Sequence, residues 1–469
     1  MARPESSFLM LHLGLGAFHR AHQAVVLQRL ADQGDTRWAI AAGNLRPDAP
    51  ELLAALAAQG GRYTVETVSP EGVHAYARIE SIHRVLPCTD DQAELLAAAA
   101  DARTRIVSFT VTEAGYCLDV QRRLDLAHPA IAADLQALAQ GRVGRTIFGA
   151  VSALLRARRA AGAGPVTLLS CDNLRHNGRR FRDGLLSFID ALGDRELLAW
   201  TLKHTRCPSS MVDRITPRPT PDVAERVRAA TGWADAAPVM AESFLQWVVE
   251  DDFIAGRPDW EAAGVEMVAD VLPHEEAKIR ILNASHSGIA WAGTLAGLTF
   301  IHEGVLHPQI RAWVHDCVTD DVMPCLSPSP LDLAAYRDAV LARFGNPALR
   351  DTNQRVAADG FSKLPGFIAP TVRERLQQGA QPDAVAVLAA LFLAFLQRWR
   401  AGRLPFDYQD QALDRAVVQA VLDASDPVAA LAQQATLWGD AAGHARWHAA
   451  LRAAWGRVSA FAAAHGRGP

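Results

Sequence analysis

Lys278, Asn283 and His286 share the nine-residue stretch Lys-Ile-Arg-Ile-Leu-Asn-Ala-Ser-His, whose other members are mostly apolar. Each of the three is costly to bury without a partner. On a helix turning about 100° per residue, Asn283 and His286 occupy neighbouring positions of one face. Lys278 stands about two turns before His286, and its long arm lets the ammonium reach back to both. Burial lowers a lysine pKa toward neutrality and makes the amine a usable general base. The bland alternative is a surface lysine that snorkels beside Glu275.

Other polar residues stand where apolar runs end. Gly14-Leu15-Gly16-Ala17-Phe18 follows the run Phe8–Gly14 and opens a helical pattern, a place where backbone N–H groups can approach a pyrophosphate. The usual third glycine is missing, since His19 stands there, and a plain tight turn fits the same letters. After the next apolar run come Asn44, Arg46 and Asp48. Asp48 suits the ribose of NAD, whereas Arg46 suits the 2′-phosphate of NADP, so this stretch leaves both cofactors open. Glu113 follows one further run and Cys171-Asp172-Asn173 another; Asp172 and Asn173 either cap the next helix, or Glu113 and Asn173 face the cofactor and substrate. Asp213 with Arg214, and Arg355 with Lys363, are candidates for gripping a hydroxylated substrate; either pair alone would pass as surface charge.

The elements that must position these residues divide the chain. Phe8–Gly14, Arg37–Gly43, Ile106–Thr112 and Val166–Ser170 read as buried strands separated by helical patterns, which predicts a mainly parallel sheet covered on both faces. Phe244–Glu250 and Val265–Val271 are two more strand-like pieces. At Pro273, with two glutamates close behind it, a helix start is expected. From there the pattern is helical to the end, so the boundary is placed between an α/β domain, 1–272, and a mainly α-helical domain, 273–469.

Composition excludes several classes. The formal net charge of −4 offers no footprint for nucleic acid or an anionic membrane. The six cysteines contain no CxxC pair, which argues against a zinc site and a disulfide framework and fits a reducing compartment. No basic segment leads into an apolar run at the N-terminus, and the longest apolar run, Ala384–Leu396, falls short of the roughly 18 residues of a membrane span. A cytoplasmic protein is expected.

Hydride transfer from a carbinol to nicotinamide needs a base for the hydroxyl proton and donors for the developing alkoxide. Zinc-ligand spacing is absent, and none of the five tyrosines has a lysine four residues later. A lysine base helped by asparagine and histidine is the remaining arrangement.

Six motifs in order, GLGAFHRAHQA, TEAGY, SCDNLRHNG, PSSMVDRITP, KIRILNASHSG and the Arg355/Lys363 segment, resemble the polyol-specific long-chain dehydrogenases, the mannitol dehydrogenase family. The resemblance runs from about Phe8 to beyond Pro365. It implies a Rossmann-type N-terminal domain, a helical C-terminal domain, NAD as cofactor, metal-independent catalysis and a monomer. It puts the base and its helpers on Lys278, Asn283 and His286. Substrate contacts fall on Asn173, Asp213, Arg355 and Lys363, and a proton relay to solvent on Glu113. AAGNLRPD and LAAQGGRYTVETVSPEG look most like the D-arabinitol 4-dehydrogenase branch, which implies oxidation of D-arabinitol to D-xylulose. Mannitol 2-dehydrogenase and hexuronate reductase are the alternatives within the family. A reading from another class, a non-catalytic dinucleotide sensor, would keep the glycine turn but need neither Lys278 nor the Arg355/Lys363 pair.

Overall fold

The computed structural model describes residues 6–119, 121–217 and 220–465. The chain divides into two compact units: one runs through Leu272 apart from Pro70–Gly72, and the other begins at Pro273. The first unit is built on strands β1 (Phe8–Leu13), β2 (Trp38–Gly43), β3 (Tyr63–Val68), β4 (His74–Ile79), β5 (Ile82–Leu86) and β6 (Thr104–Phe109). They are followed by β7 (Val166–Ser170), β8 (Thr205–Arg206), β9 (Ser210–Asp213), β10 (Val239–Glu242), β11 (Gln246–Glu250) and β12 (Glu266–Val268).

Six of these strands form one all-parallel sheet in the order β5-β2-β1-β6-β7-β8. The chain runs outward from β1 through β2 to β5, then returns to the other side of β1 as β6. That reversal is the topological switch point of a dinucleotide-binding sheet, with its crevice beyond the carboxyl ends of β1 and β6. Alternate residues go to opposite faces: Met10, Ile40 and Ile106 join one core, while Leu11, Ala41 and Val107 join another. Burial on both faces explains why these strands read as continuous apolar runs. Two three-stranded sheets, β10-β3-β4 and β12-β11-β9, complete the unit, each with one parallel and one antiparallel pair.

Several boundaries differ from the sequence expectation. The third run forms β6 two residues earlier than read, and its last three residues leave the ladder because the Val111 N–H donates to the side chain of Asp172 instead. The pieces expected at 244–250 and 265–271 shorten to β11 and β12; the chain leaves β12 where Asp270 caps the backbone of Leu272. The helix after the glycine turn is not continuous: it breaks at His22 into Ala17–Ala21 and Gln23–Asp32.

The second unit is helical. Its core gathers around the helix Ala386–Arg400, buried at every residue from Ala386 to Leu396, against which the helices Ala284–Leu295 and Ala445–His465 pack. A helix that is apolar all round has to sit inside a bundle. Among the described residues no helix is long and apolar enough to cross a membrane. All six cysteines are free.

Candidate active site

The glycine turn closes directly on β6. Gly14 has φ +106°, and a Cβ there would lie 3.1 Å from both the carbonyl oxygen and Oγ1 of Thr110. Only glycine fits that conformation and that approach. Leu15 is buried, and its N–H donates to Oδ1 of Asn44 at 2.7 Å, so Asn44 ties the end of β2 to the turn after β1. Gly16 is exposed, and Ala17 and Phe18 are half-buried in the short helix that follows, where Phe18 stacks on His22. Arg46 and Asp48 are both exposed in the loop beyond β2. The close-packed glycine at the switch point fits a dinucleotide; Gly14, Gly16 and the loop carrying Asn44, Arg46 and Asp48 are the residues that would hold one.

Glu113 opens a one-turn 3-10 helix, Glu113–Tyr116, and is exposed; Asn173 is exposed just past the end of β7. Neither Asp172 nor Asn173 caps the helix that follows, which begins at Asn177 behind His176. The side chain that binds the two loops together is Asp172. It accepts from the Tyr116 hydroxyl and the Val111 N–H, and from the Ser170 hydroxyl at 2.7 Å. Burial pushes its carboxyl up to about 7, against the pull of Tyr116, Val111 and Ser170.

Asp213 is buried on β9, opposite Gln246 of β11. Its neighbour Arg214 turns inward, donating to the carbonyls of Glu242 at 2.9 Å and of Ala21. That arginine braces the first unit and is not held out toward a substrate, a correction to the sequence reading of the Asp213/Arg214 pair.

In the second unit the opening motif takes an unexpected form. The segment Lys278–Asn283 is a π-helical turn between the helices Leu272–Ala277 and Ala284–Leu295. The i→i+5 bonding of a π turn brings residues five apart onto one face, so Lys278 stands one turn, not an α-helical step pattern, ahead of Asn283. Such turns recur at functional sites. Lys278 is only 6% exposed, which removes the snorkelling alternative. Arg280, inside the same turn, is anchored to Glu276 at 2.6 Å and to both carboxylate oxygens of Glu374 at 2.6 Å. The anchor fixes the turn from within.

His286 lies one helical turn further on, stacked on Phe344 with ring centroids 4.5 Å apart. Its Nε2 is 3.2 Å from Oδ2 of Asp351. The same carboxylate receives Arg355, whose Nε donates to Oδ1 at 2.7 Å. Burial lowers the His286 pKa, with Asp351 opposing. Burial works to raise the Asp351 carboxyl, but His286 and Arg355 outweigh it and hold the group well below the usual carboxylate range. Lys363 donates to the Val356 carbonyl at 2.6 Å, and burial brings its ammonium down to about 8. The structure therefore brings His286, Arg355 and Lys363 into one electrostatically coupled group around Asp351.

Sequence reasoning missed Asp351 and Asp172. Asp172 was readable as a polar residue at a strand end, but nothing in its neighbourhood signals its partners. Among the described residues no group of three or more His, Cys, Asp and Glu side chains is arranged to hold a metal ion.

Comparison with known proteins decides the family. Residues 9–262 match the mannitol dehydrogenase Rossmann domain, and residues 270–458 the mannitol dehydrogenase C-terminal domain. The chain belongs to the mannitol dehydrogenase family. It is a dehydrogenase of that family, 58% identical to the D-arabinitol 4-dehydrogenase of Ralstonia nicotianae over 97% of each chain. The D-arabinitol 4-dehydrogenase of Klebsiella pneumoniae is 52% identical, over 95% of this chain and 97% of that one. Among solved structures, the Pseudomonas fluorescens mannitol 2-dehydrogenase ternary complex with NAD and D-mannitol superposes with a TM-score of 0.83 at 33% identity, covering 99% of this chain and 95% of that one. A D-sorbitol dehydrogenase in substrate-free form gives a TM-score of 0.86 at 32% identity, covering 97% and 94%.

Proposed function

We propose that this family member is an NAD-dependent polyol dehydrogenase that oxidises D-arabinitol to D-xylulose, with Lys278 as general base and no metal ion. The observation that carries the substrate is the 58% identity to a D-arabinitol 4-dehydrogenase across nearly the whole of both chains. Bound NAD supplies the hydride acceptor.

The protein's own residues would do the rest. Lys278, buried in its π turn, takes the hydroxyl proton onto Nζ as the C–H electron pair leaves the carbinol carbon. Asn173 and Asn283 donate hydrogen bonds to the oxygen that gains charge, and Asp213, Arg355 and Lys363 bind the remaining hydroxyls. Glu113, exposed at its loop, passes the proton on to solvent. Preorganised donors of this kind are worth about 3–4 kcal/mol each in the transition state. Arg355 is already paired with Asp351, and Lys363 with a carbonyl. That pairing supports an uncharged polyol over a uronate, whose carboxylate would call for an uncommitted cation. The reading also takes the enzyme to be a cytoplasmic monomer.

The test is a panel of pentitols and hexitols, D-mannitol and D-sorbitol included, incubated with protein and NAD while NADH absorbance is followed. D-Arabinitol should give the highest kcat/KM, unchanged after dialysis against EDTA. Lys278→Ala should lower kcat about 100- to 10,000-fold while NADH still binds. A hexitol preferred over every pentitol sinks the substrate assignment, and a Lys278→Ala variant with near-normal turnover sinks the base. A protein that binds NAD yet oxidises none of them would be the sensor.

A further inference from the structure

We propose that Asp351 is the positioning residue of the polyol subsite: its carboxylate decides which nitrogen of His286 is offered to a substrate hydroxyl and fixes the guanidinium of Arg355. The inference rests on the functional reading above, which assigns Arg355 to substrate, and takes His286, a helper of the base, to orient a neighbouring substrate hydroxyl.

Three observations carry it. The carboxylate serves both partners at once, taking Arg355 Nε on Oδ1 at 2.7 Å, Arg355 Nη2 on Oδ2 at 2.5 Å, and His286 Nε2 beside Oδ2 at 3.2 Å. Its side chain is 9% exposed whereas that of Arg355 is 66% exposed, so the arginine is steered from its buried end. The backbone around Asp351 cannot retreat: its carbonyl accepts from Ile301 N, Phe300 bridges Thr352, and Asn353 N donates to the Thr299 carbonyl.

The contact is not aligned as a hydrogen bond, but a lone pair on Nε2 facing an ionised carboxylate at 3.2 Å would be repelled, which favours the hydrogen of a neutral imidazole on Nε2. Nδ1 is then the lone-pair atom. It accepts, and does not donate, a hydrogen bond, which matches the O–H of a polyol. The stack on Phe344 holds the ring plane, so tautomer and orientation are set together before substrate arrives. An amide at position 351 has one acceptor oxygen in place of two. Facing Arg355 with that oxygen, it would turn N–H toward His286 and move the imidazole proton to Nδ1.

The experiment compares wild type, Asp351→Asn and Asp351→Glu. The His286 tautomer is read by nitrogen NMR of 15N-histidine-labelled, cofactor-free protein near neutral pH, and steady-state kinetics are measured with D-arabinitol and NAD. Wild type should carry the Nε2–H tautomer. Asp351→Asn should shift it toward Nδ1–H and raise the polyol KM about 10- to 100-fold, with the KM for NAD within about twofold; Asp351→Glu should restore most of the loss. A wild-type His286 that is Nδ1–H or doubly protonated overturns the proposal even if neither variant folds. So does an Asp351→Asn protein with unchanged tautomer or unchanged polyol KM, or one whose two KM values rise together. Wild type that oxidises no polyol overturns the functional reading instead, and leaves the tautomer measurement to stand on its own.

Discussion

The imidazole rings of His12 and His19 lie face to face, centroids 3.4 Å apart and planes 10° from parallel. One comes from β1 and the other from the short helix after the glycine turn, and both are fully buried. His12 Nδ1 meets Ser108 Oγ at 2.8 Å, and His19 Nδ1 meets Gln23 Oε1 at 3.2 Å. The stack therefore knits β1, β6 and the helix together beneath the switch point. Two imidazolium rings could not share such a contact, and both groups are held neutral. Burial lowers His12 to about 3 and His19 well below its ordinary value, with the neighbouring His12 charge adding to the second shift.

That arrangement makes the first unit acid-sensitive. For a histidine whose folded pKa lies below its unfolded value, the unfolded chain takes up the proton first. Stability is fully present above the unfolded pKa of about 6.5 and is lost as pH falls from there toward 3. His12 alone should cost about 2 kcal/mol between pH 7 and pH 5. Urea unfolding followed at both pH values should show the loss, and His12→Asn should flatten the slope. A His12 that titrates near 6.5 in the folded protein would refute the account.

Gly14→Ala should weaken NAD binding through strain alone. A Cβ at φ +106° meets the Thr110 carbonyl and hydroxyl at 3.1 Å, and the backbone conformation itself is unfavourable for alanine. The cost is about 1–3 kcal/mol, or roughly 5- to 150-fold in Kd, if the turn yields locally. NADH fluorescence titration measures it, with circular dichroism as the check that the sheet persists. Unaltered affinity would show that the turn does not touch the cofactor.

Asp172→Ala should reduce both stability and turnover. It strands the Val111 N–H in a buried site and leaves the Tyr116 and Ser170 hydroxyls only each other, at 2.9 Å, at a cost of about 1–3 kcal/mol. It also frees the loops carrying Glu113 and Asn173 from one another. Asp172→Asn keeps one acceptor and should fall between wild type and alanine on thermal melting and on kcat. If alanine melts like wild type, the three hydrogen bonds are not holding the loops.

Much of this was legible before any coordinates. The strands of the parallel sheet read as apolar runs because both faces are covered, and Gly14, Glu113 and Asn173 could be read as following those runs, on the side where open α/β sheets bind ligands. Ile106–Thr112 was read two residues too late because Val111 looks like a strand residue, and its N–H partner is a side chain 61 positions away. The π turn was invisible for a related reason: Lys278–Asn283 carries the residues of an ordinary helix, and the extra residue per turn has no compositional mark. Arg214 was grouped with a possible substrate clamp because its acceptors are backbone carbonyls, which no side-chain pattern announces.

The letters of the chain, taken alone, determined the apolar strands of the parallel sheet, the helical character of the second half and the identity of the polar side chains at strand ends, since these follow from periodicity and from the cost of placing polar groups among apolar ones. Only the folded structure decided which carboxylates govern the site. Asp172 reaches Tyr116 across 56 residues, and Asp351 meets His286 from the loop ahead of the helix Asn353–Ala357. Partnerships of that kind depend on where distant segments come to rest, and a one-dimensional pattern carries no distance between them.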